Sequence, residues 1–259
     1  MCLILLAWQT HPDYPLVVAA NRDEFFARPS AAAGFWKETP EILAGRDLQG
    51  GGTWLGVSRG LRFSALTNYR EGAKQRADAP SRGALVVDFL TGESDPESYL
   101  EALSRRGADY NGFNLLVGDG QRLGYYTNKE PCPRWLSPGI YGLSNHLLDT
   151  PWPKLSAAKA AFAAALAQLP STPSFFELLA DREIVPDTHL PETGVPIEWE
   201  RILSAVFVAS PDYGTRASSL LTMHRSGRVT LLERSFGQGA TPLGEVGETF
   251  QSSVISTGV

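Results

Sequence analysis

Thiols are scarce in this chain: of 259 residues only Cys2 and Cys132 carry one. Two cysteines cannot build a disulfide framework, so a reducing cytoplasm is the expected compartment. Four histidines occur, with no Cys-x-x-Cys and no His-Glu-x-x-His spacing, so no metal centre is expected. Positive charge never accumulates: 23 Lys and Arg are scattered among 28 Asp and Glu, for a net charge of -5. That distribution excludes DNA and RNA as primary partners. Long apolar runs are missing too. The apolar start is too short to cross a bilayer and follows no basic segment, so neither a transmembrane helix nor a secretory signal is expected. The alanine-rich stretch 157–169 carries Lys159 and Gln168 and has helical periodicity, which makes it a soluble helix. No repeat or low-complexity tract is visible. What is present, 43% hydrophobic residues and 18 prolines, describes a globular protein rich in turns. We expect one domain over residues 1–259; the oligomeric state is left open.

Along the chain, residues 3–8 and 16–20 are apolar and β-rich, and the prolines of Thr10-His11-Pro12-Asp13-Tyr14-Pro15 separate them into a hairpin. Short strands are expected at 42–45, 53–57 and 62–67, with Gln49-Gly50-Gly51-Gly52 as the turn before the second. That glycine run permits close backbone approach, but no Lys-Ser/Thr pair follows it, so it is not a P-loop. Helices are expected at about 81–90 and 95–106, the second opened by Asp95-Pro96. Strands at 113–117, 122–127 and 140–144 follow. A helix opened by Thr150-Pro151 places Leu155, Ala158, Phe162, Ala165, Leu166 and Leu169 on one face. Segments 174–179 and 198–207 read as helices, 218–224 and 229–233 as a closing hairpin, and the tail from Thr249 is ambiguous. Strands bracket two helical blocks without β-α-β-α alternation, which predicts an α+β fold of antiparallel sheets covered by helices on their outer faces.

Cys2 stands directly after the start methionine. Removal of Met1 would leave a thiol and a free α-amine on one residue, with ordinary pKa values near ~8.5 and ~8. The amine could then take the thiol proton and return it to a leaving group, so a single residue would serve as nucleophile and base. A start codon followed by a buried core cysteine fits the position as well. Three polar clusters punctuate strand ends: Asn21-Arg22-Asp23-Glu24, Thr67-Asn68-Tyr69-Arg70 and Ser144-Asn145-His146. Such a site needs a carboxylate to hold the amine and amide or N-H donors to face an oxyanion, jobs for which Asp23, Asn68 and Asn145 are chemically suited.

The Asn21-Arg22-Asp23-Glu24 stretch, Met1-Cys2, Gly51-Gly52-Thr53-Trp54-Leu55-Gly56, Ala65-Leu66-Thr67-Asn68-Tyr69-Arg70, Gly142-Leu143-Ser144-Asn145, Leu148-Asp149-Thr150-Pro151-Trp152-Pro153-Lys154 and Tyr213-Gly214-Thr215-Arg216 together resemble the transport and Golgi organisation 2 family, also called NRDE. The resemblance implies an N-terminal-nucleophile-hydrolase-like four-layer αββα sandwich with two packed antiparallel sheets. By analogy with cysteine acylases of that superfamily it implies Cys2 as nucleophile, Asp23 on the amine, and Asn145 and Asn68 at the oxyanion. Asn21, Arg22, Arg216 and His146 would contact substrate. Those acylases carry an arginine just before the Asn-x-Asp, where this chain has Ala20, and Arg22 would leave the strand on the opposite face.

Two functions follow. One is an N-terminal-cysteine amidohydrolase or acyl-transfer activity on a small N-acyl amide or thioester, needing no cofactor. The other, suggested by the family's association with haem trafficking, is a non-catalytic carrier of haem or another amphipathic ligand in the same cleft. For that role His11, His146, His189 and His224 are the available imidazoles, His146 the best placed, and Cys132-Pro133 the available thiolate pair.

Overall fold

The computed structural model describes residues 2–72 and 75–252, and the question of whether Met1 is removed lies outside them. Two antiparallel sheets form. The first has the order β10-β1-β2-β11-β12-β13, from β1 (Cys2–Trp8), β2 (Leu16–Phe25), β10 (Gly139–Leu143), β11 (Tyr213–Met223), β12 (Arg228–Phe236) and β13 (Pro242–Gln251). The second has the order β3-β4-β5-β6-β7-β8-β9, from β3 (Ser30–Phe35), β4 (Ile42–Asp47), β5 (Leu55–Ser58), β6 (Phe63–Asn68), β7 (Phe113–Gly118), β8 (Leu123–Thr127) and β9 (Arg134–Trp135).

Strand alternation builds the layers. Ile4, Leu6, Val18 and Ala20 face the second sheet and pack with Leu43, Val57, Phe63, Ala65 and Leu116. Their neighbours Leu3, Leu5, Val17 and Ala19 point the other way, onto α3 (Pro153–Leu166) and α4 (Pro173–Leu179) through Leu155, Phe162, Phe175 and Phe176. On the far side Ile42, Leu66, Leu115 and Val117 meet Leu85, Val86, Phe89 and Leu100 of α1 (Gly83–Thr91) and α2 (Pro96–Ser104). Because both faces of β1 are covered, its sequence is apolar throughout rather than alternating. The result is the expected four-layer αββα sandwich. No helix among the described residues is long and apolar enough to cross a membrane.

The structure departs from the sequence reading in ways that matter for the site. β2 does not stop at Ala20: it runs through Asn21-Arg22-Asp23-Glu24 to Phe25, because β1 pairs with it as far as Cys2↔Arg22 and β11 as far as Tyr213↔Phe25. The polar signature is therefore strand, not strand end. β3 was not expected from Ala31-Ala32-Ala33-Gly34, whose small side chains have weak β-propensity; pairing with β4 and a bond from the Ala33 N-H to the buried Glu233 carboxylate hold it. The expected helix at 198–207 ends early, as α5 (Ile197–Ile202). The ambiguous tail completes β13 to Gln251, and residues 253–259 lie outside the described residues. In β11 the register slips between Thr215 and Ala217, so that Arg216 is an extra residue, a β-bulge.

Candidate active site

A cleft of about 510 Å³ opens where β1, β2 and β6 approach the 49–54 segment and the start of α1. Cys2, Arg22, Asp23, Glu24 and Asn68 line it, with Arg28, Asp47, Trp54, Arg76, Arg82 and Asn111.

Cys2 continues the even-numbered face of β1 toward the second sheet, and Arg22 sits opposite it in register. Burial pushes the Cys2 thiol up, while the Arg22 charge works in the other direction. The Arg22 guanidinium lies over the Trp54 ring, 4.6 Å from its centroid, with its Nη2 3.3 Å from Asp47 and 3.8 Å from Glu24. Its Nη1 is buried without a hydrogen-bond partner among the described residues. Asp47 is held by the Arg28 Nε at 2.7 Å and the Gly50 N-H at 2.8 Å. Its carboxyl lies below the usual range, these bonds and the two arginines outweighing burial, which acts in the raising direction.

Asp23 leaves β2 on the opposite face. Burial pushes its carboxyl up, opposed by Lys154 and by the Thr215 hydroxyl, which donates to Oδ1 at 2.7 Å. Lys154, on α3, is itself buried; its ammonium donates to the Leu203 carbonyl at 2.6 Å, and burial pulls it down to about 8. Beyond it Arg70 and Glu200 pair at 2.7 Å, both almost fully buried, and the Tyr213 hydroxyl donates to the Asp23 carbonyl.

Of the residues singled out from sequence, the cleft gathers Cys2, Arg22, Asp23 and Asn68. The Asn68 side chain has no protein hydrogen bond among the described residues, leaving its amide open to a ligand. Asn145 lies behind Asn68, fully buried, donating from Nδ2 to the Asn68 carbonyl at 2.9 Å while its own carbonyl accepts the Arg70 N-H. Asn21 is outside the cleft: Nδ2 donates to the Leu179 and Val206 carbonyls, and Oδ1 accepts from Ser218. Arg216 lies on a separate groove with Glu233 and Phe236, donating to the carbonyls of Phe25, Arg28 and Phe236. His146 bonds Thr150 through Nδ1 and packs between Tyr69 and Trp152. His11 and His224 accept from or bond local turns, and Cys132 is exposed.

Sequence reasoning missed Arg28, Asp47, Arg82 and Lys154. Lys154 closes one of the blocks that carried the family resemblance, and a lysine in the first turn of an apolar helix face was the available signal. Arg28, Asp47 and Arg82 had none, since only tertiary pairing brings them to Cys2.

A family model described as Transport and Golgi organisation 2 matches residues 1–238. A Bos taurus protein named "Transport and Golgi organization protein 2 homolog" is 43% identical, the match covering 91% of this chain and 93% of that one. Among solved structures, a conjugated bile acid hydrolase from Clostridium perfringens superposes with a TM-score of 0.43 at 12% identity, covering 97% of both chains. Penicillin V acylase from Agrobacterium tumefaciens gives 0.41 at 13% identity, covering 90% of this chain and 83% of that one.

Proposed function

The chain belongs to the Transport and Golgi organisation 2 family, and from that premise we propose that it is an N-terminal-cysteine acyl-transfer enzyme that cleaves an amide or thioester bond of a small molecule. The observation that carries this reading is the meeting of Cys2, Arg22, Asp23 and Asn68, from three strands in two sheets, on one cleft.

The chemistry requires that Met1 be removed, giving Cys2 a primary amine. A thiol whose pKa is raised by burial needs a base, and an α-amine with an ordinary pKa near ~8 is suited to take its proton. Sγ then attacks the carbonyl carbon, the proton passes to the amine, and the carbonyl oxygen becomes an oxyanion. The open amide of Asn68 is the donor available to it, with Asn145 bracing the Asn68 backbone from behind. Collapse breaks the bond to the leaving amine or thiol, which takes the proton from the α-ammonium. Water, deprotonated by the same amine, releases the acyl group from sulfur. Asp23 holds the ammonium form, and Arg22 favours the thiolate as it forms.

Two measurements test the proposal. Intact mass of protein from its natural host is expected to lack the initiator methionine. Cys2→Ala is expected to lose turnover of a panel of N-acyl amides and acyl thioesters; full turnover in that variant would remove the proposal. Haem carriage would instead give a saturable Soret shift on titration, abolished by His146→Ala.

A further inference from the structure

The cleft has a second half, away from Cys2, that bond cleavage does not use. Its wall is the glycine turn at 50–52 against the start of α1. The two segments touch so closely that a Cβ on Gly52 would come 2.4 Å from the Gly83 carbonyl carbon. Arg82 precedes α1 directly; its Nη1 donates to the Gly112 carbonyl at 2.9 Å, and among the described residues no carboxylate pairs with it. Arg76 likewise is tied to the neutral carbonyls of Ala108 and Asp109. The first turn of α1 holds no acidic residue and no side-chain cap; the Ala84 and Leu85 N-H groups bond the Ser81 and Arg82 carbonyls, and the positive end of the helix has no countercharge from its own first turn.

An independent observation lies across the cleft. Arg22 is 5% exposed and its Nη1 has no acceptor among the described residues, while Nη2 is occupied by Asp47. A buried charged donor without a partner is destabilising on its own, so its place on a ligand-sized wall asks for an acceptor that the described residues do not supply. Four arginines line the cleft against Asp23, Glu24 and Asp47, and Asp23 is engaged on the other face of β2 by Thr215.

We infer that this half of the cleft is a subsite for an anionic oxygen group, carboxylate or phosphate, carried by the substrate at the end remote from the carbonyl that Cys2 attacks. The link to that carbonyl rests on the acyl-transfer reading; anion binding does not, and is measured without turnover.

The experiment uses full-length Cys2→Ala protein and titration calorimetry with matched probes. N-decanoylglycine is compared with N-decanoylglycinamide, and N-decanoyl-O-phosphoethanolamine with N-decanoylethanolamine. The anionic member of at least one pair is expected to bind about tenfold more tightly, as one charge-assisted contact would give. The pair that shows the contrast distinguishes carboxylate from phosphate. Arg82→Gln and, as an exposed position that leaves the core untouched, Arg76→Gln are each expected to shrink that contrast, as is raising the salt concentration. Equal affinity within both pairs would overturn the inference, as would a contrast that survives both substitutions. Loss of turnover in Cys2→Ala with no anion preference would remove the subsite and leave the acyl-transfer proposal standing.

Discussion

Arg22 and Asp23 are consecutive residues of β2, yet they stand in two different electrical environments. On the Arg22 face, the cleft side, donors outnumber acceptors among the described residues: Nη1 is unpartnered and Arg82 has only a neutral carbonyl. On the Asp23 face the charges answer one another. Thr215 donates to Asp23, Arg70 meets Glu200 at 2.7 Å, and Thr193 donates to Glu200 from both its N-H and its hydroxyl. Alternation along one strand thus separates a cleft wall with unanswered donors from a charge-matched network that fixes Asp23 where it reaches the cleft. Substitutions on the two faces should therefore be read out by different instruments.

The sharpest break of that contrast is Glu200→Ala, which splits a buried ion pair; it is expected to lower the unfolding free energy by about 3 kcal/mol, measured by urea denaturation. Lys154→Met tests the same face through pH. The ammonium has a folded pKa of about 8 against an ordinary 10.5, so the folded state releases its proton first and wild-type stability rises from pH 8 toward 10.5. The stability of Lys154→Met relative to wild type is accordingly expected to decline over that window, by up to about 3 kcal/mol. Denaturation at pH 7 and pH 10 checks the sign, and a constant difference would remove Lys154 as a titrating member of the network. On the cleft face, Arg22→Met is expected to change unfolding free energy by about 1 kcal/mol or less, since Asp47 keeps Arg28 and the Gly50 N-H. The same variant should weaken binding of the anionic probes severalfold. Arg201→Ala, in an exposed pair with Asp187, is expected to leave both readouts unchanged.

The layers were legible because burial on both faces leaves a mark that sequence cannot hide, as in Leu3-Ile4-Leu5-Leu6-Ala7-Trp8. Cys2, Asp23 and Asn68 were singled out by residue type beside apolar strands, and the structure lines one cleft with all three. Arg216 stood in a family block, but its guanidinium caps the carbonyls of Phe25 and Arg28 outside the cleft, a choice made by the bulge and invisible to motif spacing. Arg82, Arg28 and Asp47 looked like ordinary loop charges. Their meeting at Cys2 depends on how the second sheet seats on the first, which no local pattern encodes. The reach of β2 past Ala20 was missed for a related reason: four polar residues read as a turn until strands on both sides supply their pairing.

Arg216 also stands outside the ladder that pairs β11 with β2. With one residue uncompensated, Thr215 answers Asp23 and Ala217 answers Arg22, and from there Leu220 falls toward the helices while Leu221 falls between the sheets. Deleting that single position would join Thr215 directly to Ala217, keeping Thr215 opposite Asp23 and Ala217 opposite Arg22 in an unbroken ladder with the distal side chains on their present faces. What position 216 supplies is therefore its guanidinium on the Phe25, Arg28 and Phe236 carbonyls and not the strand register, so a one-codon deletion there should cost about as much as Arg216→Ala.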